Sequence, residues 1–535
     1  MKTLTGRGSD RSGQHVSPDA GRNPLTAPLA AAVHLRQPCA ALDTGRTRPG
    51  RVAHVDITAN REIAGLLRSR PFQFLIILPC QVLFWAVMLA GLLGPATPGL
   101  NFGTALTWYV WIALLFALTM AFGRAWCAMC PFGGFAEWIQ RRSLWRRTQR
   151  ALGLGRTFPE PLARYGLLIP VALFAALTWI EEFFNIAWPG TPAATSFMIA
   201  GVMVFALAVF LIYERRTFCR YLCPLTPVIG TFGAVAPVEG FRARDPDVCL
   251  TCATKDCMRG ADDGYGCPWY TWPGSADVSL YCGLCSECFK ACPEGNIGLF
   301  LQPPGASVTA PQRRRADVAW AVAVLWGIGL YQQINATNPF ASLDNWLNAT
   351  TRFPHYPNPA DYLVIIAGAA LLIAAAAWSM GALLARRDTE FATAGGFLDR
   401  GSRFRSYFLP VAYGLIPLVG ANYLARQLPK FFHHGTRLVP AVQQMLGSSS
   451  AARSPLFGTA MLSDRAIVAA QVAVLAAGTA WALWCTWRIA GRELAPLSRS
   501  AAGARIAALG LVLACGVASA ALYVVMQAAD LRRRP

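Results

Sequence analysis

Nine long stretches of the chain are apolar on every side rather than along one face. A helix needs about 20 mainly apolar residues to cross a bilayer, whereas buried core helices of soluble proteins are usually shorter and carry a polar face. The pattern therefore predicts about nine transmembrane helices and an all-α polytopic membrane protein. The predicted spans cover residues 72–93, 104–122, 164–186, 195–213, 317–334, 361–384, 405–425, 466–487 and 504–527.

Composition agrees with a membrane protein. Hydrophobic residues make up 54% of the chain and charged residues only 14%, and the net charge is +20. We interpret this positive charge as a topology signal and as an affinity for anionic membrane lipid. Nucleic acid is not an expected partner.

Basic residues mark the ends of helices that face the cytoplasm. Arg68 and Arg70 precede the first span, a group of arginines follows the second, and Arg215 and Arg216 follow the fourth. The loop 94–103 between the first two spans has no charged residue. The pattern predicts a multi-pass protein of the bacterial inner membrane, with the segment after the fourth span in the cytoplasm.

That segment contains eight cysteines. The last four form the run Cys282-x-x-Cys285-x-x-Cys288-x-x-x-Cys292-Pro, which is the 4Fe-4S ligand pattern of bacterial ferredoxins, and in two-cluster ferredoxins the last cysteine of this run binds the other cluster. The spacing therefore predicts two 4Fe-4S clusters with crossed ligation. One would be held by Cys249, Cys252, Cys257 and Cys292, and the other by Cys267, Cys282, Cys285 and Cys288.

Structural zinc is the alternative, because paired C-x-x-C motifs also build tetrahedral zinc sites. The third cysteine at three-residue spacing and the following Cys-Pro pair favour the ferredoxin interpretation. The first set departs from the usual spacing, with four residues between Cys252 and Cys257.

Two further cysteine pairs form a repeat. The second predicted span is followed by Cys127-x-x-Cys130-Pro and the fourth by Cys219-x-x-x-Cys223-Pro. We call these segments the elbows, and we expect both at the inner surface of the membrane. Their four thiols could hold a third iron–sulfur cluster or a metal ion, or a pair could cycle through a disulfide. The alternative is that they only end helices.

The elbows and the following ferredoxin-like segment resemble membrane polyferredoxins of the NapH, NosR and CcoG type, with a FesM-like protein as a further possibility. The resemblance covers roughly residues 70 to 300 and implies electron transfer between a quinone and a redox partner protein. The first elbow departs from the C-x-x-x-C-P pattern of this family.

These observations predict four regions. Residues 1–66 form a disordered basic segment, 67–240 a four-helix membrane unit with the two elbows, 241–303 an inserted small α+β ferredoxin-like domain, and 304–535 a C-terminal helical bundle. We expect an oxidoreductase component that passes electrons between quinone and a partner, with no catalytic residue assigned. The alternative is an accessory assembly factor or metal reductase that uses the elbow cysteines.

Two pairs of ionisable residues are candidates for quinone contact. Glu181 and Glu182 end the third predicted span beside Trp179 and Phe183, and His433 and His434 follow the seventh. Aromatic residues are also common at the membrane interface, so an interfacial belt remains an alternative for the first pair. Adjacent loop histidines are more often solvated.

Overall fold

A computed structural model describes residues 54–145, 152–276, 279–310, 314–335, 337–353, 357–384, 400–498 and 500–533. The fold is mostly helical. Within these described ranges, six helices are long and apolar enough to cross a membrane, and a bent pair, Phe404–Gly414 with Ile416–Met445, would make a seventh. The six are Phe72–Leu93, Phe102–Phe122, Pro192–Ile212, Pro359–Leu383, Asp464–Leu497 and Ala501–Val525.

The predicted number of nine spans is therefore not confirmed. The helix Leu168–Phe183 has only 16 residues, which is shorter than the length a bilayer crossing needs. The helix Ala316–Ile334 carries Asp317 and two glutamines, and most of its side chains are buried against other helices. Its apolar residues form protein core, which a sequence pattern cannot distinguish from lipid-facing surface.

Helix ends follow from local sequence. Asn101 accepts hydrogen bonds from the backbone N–H groups of Gly103 and Thr104 and so caps the second apolar helix. That helix ends at Gly123, whose φ of 63° suits glycine. Shorter helices cover Arg61–Arg68, Ala125–Met129, Pro131–Arg141, Pro246–Thr251, Asp256–Arg259, Glu287–Lys290, Asn338–Thr351 and Leu438–Met445.

The helices form two packed groups. In the first half of the chain, Pro192–Ile212 packs against Phe72–Leu93. In the second half, Ile416–His434 packs against Asp464–Ile489, and Ala316–Ile334 packs against Pro359–Leu384. Among the described residues, the largest buried core lies mainly in this second group and extends to Phe116, Phe174 and Phe232 of the first half.

A small antiparallel sheet flanks residues 249–292, which contain the eight cysteines and which we call the cysteine-rich segment. Its strands are β1 (Val55–Asp56), β2 (Val238–Ala243) and β3 (Ile297–Leu301), in the order β1-β3-β2. The prediction of disorder through residue 66 is wrong for residues 54–66, because β1 pairs with β3 and a helix starts at Arg61. Residues 1–53 lie outside the described residues.

Candidate functional site

Four cysteines line one cavity beside β3. Cys249, Cys252, Cys257 and Cys292 all line this small cavity, and we call them the first thiol group. The helix Pro246–Thr251 carries Cys249 and is capped by Asp245, which accepts a hydrogen bond from the Asp247 N–H. The short helix Asp256–Arg259 carries Cys257. The end of the first helix, with Cys252 as its C-cap, and the start of the second therefore bring Cys249, Cys252 and Cys257 to one place.

The thiols of this group raise one another's pKa values. Burial raises the pKa of Cys249, and the neighbouring Cys292 and Cys252 raise it further. Burial and the same neighbours raise the pKa of Cys257 to about 12. Asn296 Nδ2 lies 3.3 Å from Cys249 Sγ, so it can donate a hydrogen bond that stabilises a thiolate. Asn296 was not among the predicted site residues, because an isolated asparagine carries no motif.

The other four cysteines of the segment form a second thiol group. Burial raises the pKa of Cys288, and so do Cys267, Cys285 and Cys282, which lie close to it. The backbone N–H of Phe241, in β2, lies 3.4 Å from Cys282 Sγ and can donate to it. Cys267, Cys285 and Cys288 are all buried.

The structure thus brings together the same two sets of four cysteines that the spacing predicted. Cys292, from the end of the C-terminal run, lies with Cys249, Cys252 and Cys257. Cys267, from the earlier set, lies with the second group. Cys257 also raises the pKa of Cys288, so the two groups are neighbours. Ligation of a cluster by these residues stays a prediction.

The four elbow cysteines also come together, and we call them the elbow group. Cys127 lies in the helix Ala125–Met129, and Cys130 directly precedes the helix that starts at Pro131. Burial raises the pKa of Cys130 to about 12, and Cys127 and Cys223 raise it as well. Burial likewise raises the pKa of Cys219, which is close to Cys223, Cys130 and Cys127. The repeat therefore produces four convergent thiols.

A buried arginine borders the elbow group. Arg216 is only 1% exposed, and its Nη1 donates a hydrogen bond of 2.9 Å to the carbonyl oxygen of Cys127. A Cβ added at Gly133 would lie 3.3 Å from Cys219 Sγ and 3.4 Å from Arg216 Nη1. The missing side chain at Gly133 therefore lets the thiol and the guanidinium lie close to the helix that follows the first elbow.

Arginines of the elbows also hold the cysteine-rich segment. Arg215 Nη1 donates to the carbonyl oxygen of Cys267 at 2.8 Å, and Arg124 Nη1 donates to that of Leu280 at 2.7 Å. The Arg220 guanidinium donates to the carbonyl oxygen of Trp269. In the sequence, Arg215 indicates only the topology of the membrane helices. A single sequence carries no signal that the Arg215 side chain is buried and binds the backbone of the cysteine-rich segment.

The second thiol group lies next to the elbow group. The backbone N–H of Arg216 lies 3.4 Å from the carbonyl oxygen of Pro268, the neighbour of Cys267. Both Cys219 and Cys285 lie close enough to the Arg216 guanidinium to interact with its positive charge. One buried cluster of side chains contains thiols from all three groups, together with Trp269 and Phe289.

The candidate quinone residues lie elsewhere. Glu182 forms an ion pair of 3.1 Å with Arg426, and Glu181 ends the same helix, Leu168–Phe183. That helix packs against Phe218–Leu222 of the second elbow, the Leu167 N–H before it donates to Asp317, and 16 residues span about 24 Å. His433 lies 3.3 Å from Asp464, and His434 packs against Tyr109.

The remaining described cysteines lie apart from the three groups. Cys485 and Cys515 are buried in the core of the C-terminal bundle, and Cys80 is partly buried in the first apolar helix. Buried cysteines of this kind behave as small hydrophobic side chains.

The thiol groups can be compared with the needs of a metal centre. Among the described residues, no three Cys, His, Asp or Glu side chains lie close enough together to hold a single metal ion. A cubane cluster binds each thiolate at a different iron corner, so its ligands lie farther apart than those of one ion. Four convergent sulfur donors, each buried or partly buried, therefore suit a 4Fe-4S cluster in each group.

Comparison with known proteins gives one match. Residues 104–150 and 195–237 match the family described as 4Fe-4S binding domain. The two matched segments contain the two elbows. Neither the curated proteins nor the solved structures include a match to this chain. The family match supports an iron–sulfur protein of the ferredoxin type.

Proposed function

We propose that this protein passes electrons across a membrane surface through three iron–sulfur clusters, one in each thiol group. The observation that carries the proposal is the continuous buried cluster of side chains that contains thiols of the elbow group and of both groups in the cysteine-rich segment. When bound, a 4Fe-4S cluster takes up and releases single electrons. The chain therefore holds its three groups of thiol ligands next to one another rather than at scattered sites.

The order of the groups follows from their neighbours. The elbow group lies at the ends of the helices Phe102–Phe122 and Pro192–Ile212 and is the one nearest to the bilayer. Arg216 contacts both the elbow group and Pro268 beside the second group. Cys257 of the first group is a neighbour of Cys288 of the second. Electrons would move between membrane and solvent in this order.

The surrounding residues have two tasks in this function. Trp269, Phe241 and Phe289 are buried beside the thiols and exclude water from them. The guanidinium of Arg216 places a positive charge near Cys219 and Cys285, which favours their thiolate forms. A buried positive charge also favours the reduced, more negative state of a neighbouring redox group.

The location is part of the proposal. The basic ends of the helices, including Arg68, Arg70 and Arg141, lie on the side of the thiol groups. Positive loops are retained on the cytoplasmic side, and thiolates need a reducing compartment. We therefore place the cysteine-rich segment, as a ferredoxin-like domain, on the cytoplasmic face of the bacterial inner membrane.

The membrane partner in this proposal is a quinone, as in the NapH, NosR and CcoG type of polyferredoxin. Quinone would exchange electrons at the elbow group rather than at Glu181 and Glu182. Those carboxylates lie at the far end of a helix about 24 Å long, and Glu182 is already paired with Arg426.

Quinol-driven reduction tests this function. The protein would be placed in lipid nanodiscs with a reduced quinone, and cluster reduction followed by EPR. We expect reduction in the unaltered chain and in Cys485→Ser, and its loss in the double variant Cys219→Ser/Cys223→Ser. Retained quinol-driven reduction in the double variant, together with lost metal reduction, would favour the assembly-factor alternative.

A further inference from the structure

The surface around the first thiol group is acidic in a basic protein. Between residues 245 and 294 the chain carries eight acidic and three basic residues, although its net charge is +20. Asp245, Asp247 and Glu294 are exposed near the first thiol group and Asp256 lines its cavity, against the exposed Arg259 and the partly buried Lys255. Asp263 lies apart from them and pairs with Arg70. The local charge is therefore opposite in sign to that of the chain as a whole.

This surface also has an apolar centre. Leu250 is 51% exposed and follows Cys249 in the helix Pro246–Thr251. Cys252 is only partly buried. Glu294 lines the cavity of the first thiol group, as does Lys255, whose ammonium lies 4.9 Å from the centre of the Trp272 ring. An exposed leucine thus lies beside a thiol group and among carboxylates.

The other two thiol groups are less accessible from solvent. Trp269 covers the second group and is 1% exposed. Arg216 and Arg220, both buried, lie between the elbow group and the cysteine-rich segment. A soluble protein would therefore reach the row of thiols most directly at the first group.

We propose that this acidic surface is the docking site of a soluble redox protein with a basic face, which exchanges single electrons with the first thiol group. The proposal rests on the proposed function. Opposite charges on two partners speed their encounter and align them. An anionic membrane surface would be repelled by the same carboxylates, and a second copy of this chain would present like charge to like charge.

Electron transfer to a basic cytochrome c is a direct test. The full-length protein is reduced with dithionite, freed of excess reductant and mixed with ferric cytochrome c. One electron passes to each haem iron, which becomes ferrous, and no bond forms or breaks. Ferricyanide, a small anion, serves as an oxidant of opposite charge. The variants are Glu294→Lys and the matched control Glu160→Lys, another exposed glutamate.

Docking predicts that Glu294→Lys slows cytochrome c reduction about three- to tenfold while it speeds ferricyanide reduction. Glu160→Lys should leave both rates near those of the unaltered chain, and added salt should slow the reaction with cytochrome c. Equal effects of the two variants, or a rate that salt does not change, would overturn the proposal. A dimer that Glu294→Lys abolishes would assign this surface to a second copy instead.

Iron is measured in every variant first, because a chain without iron contradicts the proposed function rather than the docking surface. In that case calorimetric binding of ferric cytochrome c at low salt still tests the surface. Binding that Glu294→Lys weakens and Glu160→Lys does not would support docking, and binding that both variants leave unchanged would overturn it.

Discussion

Arg216 and Glu137 form a buried ion pair between the elbow group and the cysteine-rich segment. Arg216 Nε donates to Glu137 Oε2 at 2.8 Å, and Arg216 Nη2 lies 2.6 Å from the same oxygen. Arg141 lies 3.1 Å from the other oxygen of Glu137. Glu137 thus holds two arginines, and one of them contacts the backbone of Cys127.

Removing one partner of this pair should destabilise the protein. Arg216→Gln leaves the buried carboxylate of Glu137 with Arg141 as its remaining partner. Breaking a buried ion pair in this way typically costs about 3–5 kcal/mol of stability. We expect a clear fall in the melting temperature, measured by tryptophan fluorescence in detergent. The matched control is Arg164→Gln, which breaks the exposed pair with Glu160 and should change the melting temperature little. Equal effects of the two variants would contradict the buried role.

The elbow group should bind iron separately from the other two groups. In Cys219→Ser/Cys223→Ser we expect the loss of one cluster, from about twelve to about eight irons per chain. The control Cys485→Ser/Cys515→Ser removes two buried cysteines of the C-terminal core and should keep all the iron. Unchanged iron in the elbow variant would show that the elbow thiols serve another purpose.

Gly240 should be required for the position of Cys282. Its φ is 100°, and an added Cβ would lie 2.8 Å from Cys282 Sγ and 2.9 Å from Cys282 Cβ. Gly240→Ala therefore combines backbone strain with displacement of a predicted ligand.

Gly447→Ala is the matched control for this substitution. It has a similar φ of 90° and no atom within 4 Å of the added Cβ. We expect both variants to lose stability and only Gly240→Ala to lose iron and the EPR signal of one cluster. Equal iron in the two variants would argue against a constrained Cys282.

The pairing of β1 with β3 should weaken in acid. Partial burial raises the pKa of Asp56, but hydrogen bonds from Thr58 and Arg244 outweigh it, so this pKa lies below its ordinary value. The Arg244 Nε donates to Asp56 Oδ2 at 2.8 Å. A lowered folded-state pKa gives stabilisation that is present above about pH 4 and is lost as the pH falls through the folded value.

Asp56→Asn tests this pH dependence. The melting temperature of the variant should lie below that of the unaltered chain at pH 7, and the difference should shrink as the pH falls below about 4. Asp263→Asn, at an exposed carboxylate, should show no such trend. A difference for Asp56→Asn that is the same at every pH would contradict the assignment.

The parts of this structure that the sequence predicted are those with a local repeat. All-round apolar runs located Phe72–Leu93 and Pro192–Ile212 to within a few residues. Cysteine spacing led to the same groups of four that the structure brings together, because cysteines three residues apart share one loop.

The parts that it did not predict depend on distant contacts. Val55 pairs with Leu301, and neither residue carries a signal of the other. Helix Ala316–Ile334 resembles a membrane span because helices surround it. Arg215 and Arg216 were interpreted as topology signals. The sequence of a basic helix end is the same whether the side chain faces lipid headgroups or a buried carbonyl oxygen.

Iron and acid-labile sulfide per chain, measured with zinc on anaerobically purified protein, test the central claim most directly. Three thiol groups that each hold a 4Fe-4S cluster predict about twelve irons and as many sulfides, with negligible zinc. About eight irons would limit the clusters to the cysteine-rich segment. Zinc in place of iron would contradict the electron-transfer function.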